Sequence, residues 1–220
     1  MPSAIYDTKA DYDAAYSISA EGPWGVTRPR EREVRLSYCR CVVEPYNQAT
    51  AKLLKERFSL GQDSAVVIVG AGFGWTIEAL ATLGIARIVG TETSSWIHEA
   101  KNTTEREEVA EKVAEVGADP VLVDKILALG GADRPRCVST VLNEDINSYE
   151  SHKRVIEAIG IQPTHVISEY VLDDFNPVEG LALSVNMHLL VGRGVVAHVV
   201  SRDRAASWST ILPADVIVGA

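Results

Sequence analysis

Cysteine is scarce in this chain and falls into no pattern. Cys39, Cys41 and Cys137 are odd in number and form no C-x-x-C pair, so they read as reduced thiols. The histidines, His98, His152, His165, His188 and His198, show no H-x-x-x-H or similar spacing, and no metal site is expected. No apolar run approaches the roughly 20 residues needed to cross a bilayer. Met1 to Ala20 is polar and acidic, unlike a signal peptide, and the expected setting is cytoplasmic. Basic residues are too few for a nucleic-acid footprint: 21 Lys and Arg stand against 30 Asp and Glu, a net charge of −9, which disfavours non-specific nucleic-acid binding. The one basic stretch, Arg28, Arg30, Arg32 and Arg35, is interleaved with Glu31 and Glu33 and reads as a solvated face. Ser168 lies outside any G-x-S-x-G elbow, so a hydrolase nucleophile is unsupported. There is no internal repeat and no low-complexity segment.

What the chain does have is an apolar content of 46% over 220 residues, enough for one domain with a sizeable core. Its most informative stretch is Val66-Val67-Ile68-Val69-Gly70-Ala71-Gly72-Phe73-Gly74. A helical pattern follows from Ile77 to Leu83, and then a second apolar run, Ile88-Val89-Gly90-Thr91, ends on Glu92. Strand, tight turn, helix, strand, acid is how a parallel α/β sheet binds a nucleoside. The glycines let a ligand approach the backbone, the helix N-terminus offers N–H groups, and the acid accepts hydrogen bonds from ribose hydroxyls.

The rest of the chain alternates in the same way. Thr50, Leu53, Leu54 and Phe58 recur at helical spacing and predict a helix over 45–58 that packs on the sheet. Strands are predicted over 65–70 and 87–92, with Thr93-Ser94-Ser95 capping the helix that follows. The charged segment 104–116 and a short helix carrying Leu122, Ile126 and Leu129 read as an insertion. Strand three is expected at about 136–142, a helix over 148–160, strand four over 164–169 and strand five over 195–200. Between the last two, Val178, Leu181, Ala182, Val185 and Leu189 give 177–189 the apolar side of an amphipathic helix. The fold class is therefore α/β, doubly wound around a mainly parallel sheet. An N-terminal extension and helix is expected over 1–60 and a Rossmann-like domain over 61–220.

The glycine spacing sets the chain apart from a dinucleotide fingerprint. G-x-G-x-x-G needs a small sixth residue, but Trp75 stands sixth from Gly70 and Ile77 sixth from Gly72. The chain reads G-x-G-x-G, and here it resembles the class I S-adenosylmethionine-dependent methyltransferases. The resemblance implies S-adenosylmethionine as cofactor, with Gly70, Gly72 and Gly74 under its methionine part and sugar and Glu92 on the ribose. It also implies two further strands as an antiparallel hairpin. After strand five only Val216-Ile217-Val218 offers a strand, so the C-terminal strands are expected to be incomplete, with the second absent or supplied by residues 1–45 or by a second subunit. The family's acid two residues before the first glycine is replaced by Ile68. Three readings stay open: another acid substitutes, binding is weak, or the fold persists without the chemistry.

In the loop after strand three, the resemblance makes Asp145 the acceptor for the adenine amino group, with Glu144 as runner-up. A turn-forming Asp is the plain alternative. Glu169, ending strand four where the reacting group would sit, is the candidate catalytic residue. The Asp/Asn-Pro-Pro-aromatic motif of DNA amino-methyltransferases is missing there. Glu169 with Glu179 is faintly similar to the double-glutamate loop of protein arginine methyltransferases, though the spacing is off by about a residue. Trp75 reads either as a cofactor flank or as core. Two functions follow. One is methyl transfer from S-adenosylmethionine to a small-molecule or protein acceptor, in a monomer or a homo-oligomer. The other is a non-catalytic binding or assembly protein on the same fold.

Overall fold

The computed structural model describes residues 40–99, 103–115, 117–130, 135 and 137–219. The readings at Gly22-Pro23-Trp24-Gly25, at Arg28, Arg30, Arg32 and Arg35, and at Cys39 lie outside these residues. Chain order is α1 (Arg40–Phe58), β1 (Ala65–Val69), α2 (Trp75–Thr82), β2 (Arg87–Glu92), α3 (Ser95–Glu99), α4 (Glu105–Glu115), α5 (Val121–Gly130), β3 (Val141–Asn143), α6 (Tyr149–Ile159), β4 (His165–Glu169), a 3-10 turn (Val171–Asp174), α7 (Pro177–Val191), β5 (Val195–Val200), α8 (Arg202–Ser209) and β6 (Asp215–Val218). The six strands form one sheet in the order β3-β2-β1-β4-β5-β6. Every pairing is parallel.

Period-2 alternation assigns the strand residues to the two faces. Val66, Ile68, Ile167, Ala197 and Val199 pack with Ala51 and Leu54 of α1 and Ile77 and Leu80 of α2. Val67, Val69, Val166, Val196 and Val200 pack with Val155 and Ile159 of α6 and Leu183, Met187 and Leu190 of α7. Both faces are thus covered, the condition under which parallel strands read as continuous apolar runs. The chain reverses direction across the sheet between β1 and β4. Ligands of such sheets bind at the carboxyl ends of the strands beside that switch point.

Three expectations change. Strand three starts later than 136, because the Val138 N–H donates to Phe73 O at 2.9 Å instead of joining β2. The ladder begins only at Val141, opposite Gly90. The residues before it run beneath the glycine turn, with Cys137 buried there. After strand five, β6 adds to the sheet parallel to β5 across α8, where the family's hairpin would be antiparallel. Helix α7 is turned over. Gly180, Leu183, Ser184, Met187, Leu190 and Val191 face the sheet, while the expected core stripe, Val178, Leu181, Val185 and Leu189, lies on the outer surface. The helix is apolar on both sides, so periodicity gives its pitch but not its orientation. Gly180 helps decide it: a Cβ there would meet the Trp208 ring of α8 at 2.4 Å.

The insertion after β2 is a helical pair. Val109 and Val113 of α4 pack on Val123 and Leu127 of α5, with Leu122 partly covered. The Ile126 and Leu129 side chains lie outside the described residues.

Candidate functional site

The turn after β1 is held by its own backbone. Gly70 and Ala71 N–H both donate to Thr91 O of β2, at 2.9 and 3.0 Å, and Gly74 N–H donates to Ala71 O at 2.8 Å. All three glycines have positive φ: 69° at Gly70, 53° at Gly72 and 83° at Gly74. Any L side chain is strained in that region. Their surroundings differ. A Cβ at Gly70 would lie 2.1 Å from Val171 Cγ2, and one at Gly74 1.8 Å from Val138 Cγ2, whereas nothing stands within 4 Å of one at Gly72. Gly70 and Gly74 are therefore required by protein packing. Gly72 borders open space, the one glycine of the three a ligand can approach directly.

Glu92 ends β2 and is bound to that turn. Its Oε2 accepts the Gly72 N–H at 3.1 Å. Its Oε1 accepts the Thr93 and Ser94 N–H groups at 2.8 and 2.9 Å. A carboxylate has about four acceptor sites, so three protein bonds leave room for one ligand hydroxyl rather than the ribose pair expected from sequence. His98 of α3 fixes the same strand end, since its Nε2–H donates to Glu92 O at 2.8 Å. That leaves its Nδ1 an acceptor, buried and without a partner. No sequence motif marks His98, which stands six residues past the acid.

At the end of β3, Asp145 stands in a turn. Its Oδ1 accepts the Asn147 N–H at 2.9 Å, which leaves Oδ2 for other use. Glu144 is committed elsewhere: Arg154 holds it with two hydrogen bonds and keeps its carboxyl below the usual range.

Glu169 ends β4 on the sheet face that carries Ile68. Ile68 pairs in register with Ile167, and Glu169 is the next residue along that face. Only 9% of it is exposed. The Thr76 hydroxyl at the start of α2 donates to Oε1 at 2.7 Å. Asn47 Nδ2 of α1 reaches Thr76 Oγ1 at 2.9 Å and Glu169 Oε1 at 3.5 Å. Asn47 Oδ1 is buried without a partner. Burial pushes the Glu169 carboxyl up to about 7, against the pull of Thr76 and Asn47. Thr76 and Asn47 were missed from sequence because they lie 93 and 122 residues from their partner.

The chain turns sharply after Glu169. Tyr170 has φ 58°, a region a non-glycine residue adopts only when its surroundings hold it there. Its N–H donates to Val199 O at 2.8 Å, and a Cβ at Gly219 would fall 1.8 Å from its hydroxyl oxygen. Burial raises the Tyr170 hydroxyl. Asp173 accepts the Ser201 N–H at 3.1 Å, tying the 3-10 turn to the start of α8, and burial lifts its carboxyl to about 6. Glu179 does not join Glu169. Its carboxylate closes the capping box of α7 by accepting the Asn176 N–H at 3.0 Å. Trp75 is core, 6% exposed, with its ring centroid 5.4 Å from that of Phe73. Among the described residues no group of three or more His, Cys, Asp or Glu is placed to hold a metal. No helix among them is long and apolar enough to cross a membrane.

No family model matches the chain, and no curated protein matches it. Among solved structures it is similar to magnesium protoporphyrin IX methyltransferase from Synechocystis PCC 6803 with bound SAM, at 15% identity and a TM-score of 0.42, over 84% of this chain and 68% of that one. It is also similar to the glycopeptide N-methyltransferase MtfA complexed with SAM, at 16% identity and a TM-score of 0.40. That match covers 66% of this chain, which spans half the length of the other. An alcohol dehydrogenase from Thermus sp. ATN1 matches at 16% identity and a TM-score of 0.43, over 82% of this chain and 43% of the dehydrogenase.

Proposed function

We propose that this chain binds S-adenosylmethionine over Gly72 and Glu92 and transfers its methyl group to a small-molecule or protein acceptor. Its α/β architecture and parallel strands β1 to β5 fit a class I methyltransferase fold, with the parallel β6 as the departure. One observation carries the binding site: an acid hydrogen-bonded to the glycine turn, with an acceptor site to spare, beside the one glycine of that turn that faces open space. Glu92 takes a ribose hydroxyl. Asp145 Oδ2 takes the adenine amino group. Gly72 lets the ligand lie against the backbone, and Gly70 and Gly74 shape the turn beneath it.

Bound there, the cofactor supplies an electrophilic methyl carbon, so the protein's tasks are alignment and exclusion of water. Glu169 is the group we assign to the acceptor. With its carboxyl near 7, it can accept a proton from a nucleophile and return it at neutral pH. Thr76 and Asn47 both engage Oε1 and so leave Oε2 for the acceptor.

Calorimetry with S-adenosylmethionine, S-adenosylhomocysteine and NAD tests the reading. NAD is the required control because the order β3-β2-β1-β4-β5-β6, all parallel, is also that of dinucleotide-binding sheets. The expected result is micromolar affinity for the first two and none for NAD. Tight NAD binding without a response to S-adenosylhomocysteine would sink it.

A second reading has support of its own. Val171 lies against Gly70, where the resemblance expects ligand, and Ile68 replaces the family's acid. A non-catalytic binding or assembly protein needs neither room nor charge at those places. Formation of S-adenosylhomocysteine in the presence of a cell extract separates the two, since the second reading expects none.

A further inference from the structure

Two acceptor atoms at the carboxyl end of β4 lack a donor among the described residues. One is Asn47 Oδ1 of α1, which is buried. The other is Glu169 Oε2, since the side-chain donors that reach this carboxylate, Thr76 Oγ1 and Asn47 Nδ2, both go to Oε1. Proton counting gives the network its direction. The Thr76 hydroxyl has a single proton and gives it to Glu169 Oε1 at 2.7 Å, so toward Asn47 it only accepts. It takes an Asn47 Nδ2–H at 2.9 Å. The amide is thereby oriented, with its nitrogen on Thr76 and Glu169 and its oxygen left over. A buried amide oxygen costs free energy until a donor meets it. This one belongs to a side chain already in contact with a carboxylate whose second oxygen also lacks a donor.

We propose that this pair recognises a primary amine as the methyl acceptor, with one N–H on Asn47 Oδ1 and the other on Glu169 Oε2. The proposal rests on the methyl-transfer reading above. A neutral primary amine carries two N–H donors and one lone pair, so two acceptors hold it and leave the lone pair free to attack. A hydroxyl has one proton and would leave one acceptor bare. A guanidinium engages a carboxylate through both oxygens, and here Oε1 is already taken. Glu179 supplies no second carboxylate, because it closes the capping box of α7.

The step balances with the residues present. The nitrogen lone pair forms the new C–N bond as the C–S bond breaks, and the electron pair of that bond stays on sulfur. The methylated nitrogen is then cationic and still bears both protons. It gives one to Glu169 Oε2, which releases it to solvent. Asn47 Oδ1 keeps the other and holds the nitrogen in line.

Two experiments test this, the first without turnover. Heteronuclear NMR of the full chain follows the Glu169 carboxyl carbon as methylammonium chloride is added, with tetramethylammonium, a cation without N–H donors, as control. Methylammonium should give a saturable shift and tetramethylammonium none. Asn47→Ala should weaken the methylammonium response at least about tenfold. Asn47→Asp, which keeps an oxygen at that position, should not weaken it, and circular dichroism checks the fold of both variants. No response to methylammonium, an equal response to tetramethylammonium, or equal weakening by both substitutions overturns the proposal. The second experiment measures S-adenosylhomocysteine formed from S-adenosylmethionine with a cell extract, before and after its amines are acetylated with sulfosuccinimidyl acetate. Acetylation should abolish product formation. Product that survives acetylation overturns the amine acceptor and leaves methyl transfer standing. No product from either extract overturns methyl transfer itself, and this proposal with it.

Discussion

The Gly72 N–H donates to Glu92 Oε2 at 3.1 Å. The glycine turn and the acid at the end of the next strand are therefore one hydrogen-bonded unit, not two separate contributions to a pocket. Whatever disturbs the carboxylate also removes one of the hydrogen bonds that hold the turn.

Glu92→Ala removes the acceptor of three backbone N–H groups together with the ribose contact proposed for it. Each hydrogen bond to a charged group contributes about 1.5–3 kcal/mol. Cofactor affinity should fall at least about tenfold, and the melting temperature should also drop while the fold persists. Titration calorimetry and thermal melts measure the two effects. An unchanged dissociation constant would place the pocket elsewhere.

The three glycines should separate by effect. Gly70→Ala and Gly74→Ala place a Cβ within about 2 Å of Val171 and Val138 respectively, so overpacking on the order of 1–3 kcal/mol adds to the backbone strain. Both should lower stability strongly. Gly72→Ala meets no neighbour and costs only the roughly 1–2 kcal/mol of its left-handed backbone. Gly72→Val, whose two methyls enter the ligand's space, should abolish cofactor binding in a protein that still folds. A folded Gly72→Val that binds normally would remove the turn from the site.

Glu169→Gln should trade activity for stability. The folded carboxyl titrates near 7 and the unfolded one near 4.5. The folded state thus binds more protons across that window, and wild-type stability falls as pH rises from 4.5 to 7. Glutamine keeps the Thr76 hydrogen bond and removes this cost, so at pH 8 the variant should gain up to on the order of 3 kcal/mol. The gain should vanish below pH 4.5. Turnover should fall while the cofactor dissociation constant stays within a few-fold. A large loss of cofactor affinity at unchanged turnover would instead make Glu169 the substitute for the acid missing at Ile68.

His198 should stay neutral far into acid. It is fully buried, its Nδ1 lies 2.8 Å from Ser168 Oγ, and its Nε2 has no partner. Burial, with a smaller contribution from His188, depresses it to about 4. Because the unfolded residue takes its proton near 6.5, this group's contribution to stability is complete above 6.5 and is lost as pH falls toward 4. Its sign is opposite to that of Glu169 in the overlapping window. A histidine-resolved NMR titration separates them, and a His198 midpoint near 6.5 would contradict the buried environment.

Most of the architecture could be read from the sequence, because it rests on short-range chemistry. The Val66–Val69 run, the positive-φ glycines and the acid closing the next strand are each encoded within a few residues, and so is the alternation of periods that makes the sheet doubly wound. Tertiary structure alone decided which side of α7 faces the sheet, since both sides are apolar and Gly180 against Trp208 breaks the tie. It also decided where strand three begins, by the hydrogen bond from Val138 to Phe73, and the direction of β6, by the crossover through α8. The division of labour among the three glycines follows from Val171 and Val138, neighbours far along the chain. Glu169 is the clearest case. Its position at a strand end is local, but the burial that moves its proton and the partners Asn47 and Thr76 exist only once α1, α2 and β4 are packed together, because a carboxyl's affinity for its proton is set by the solvent and dipoles around it and not by its neighbours in sequence.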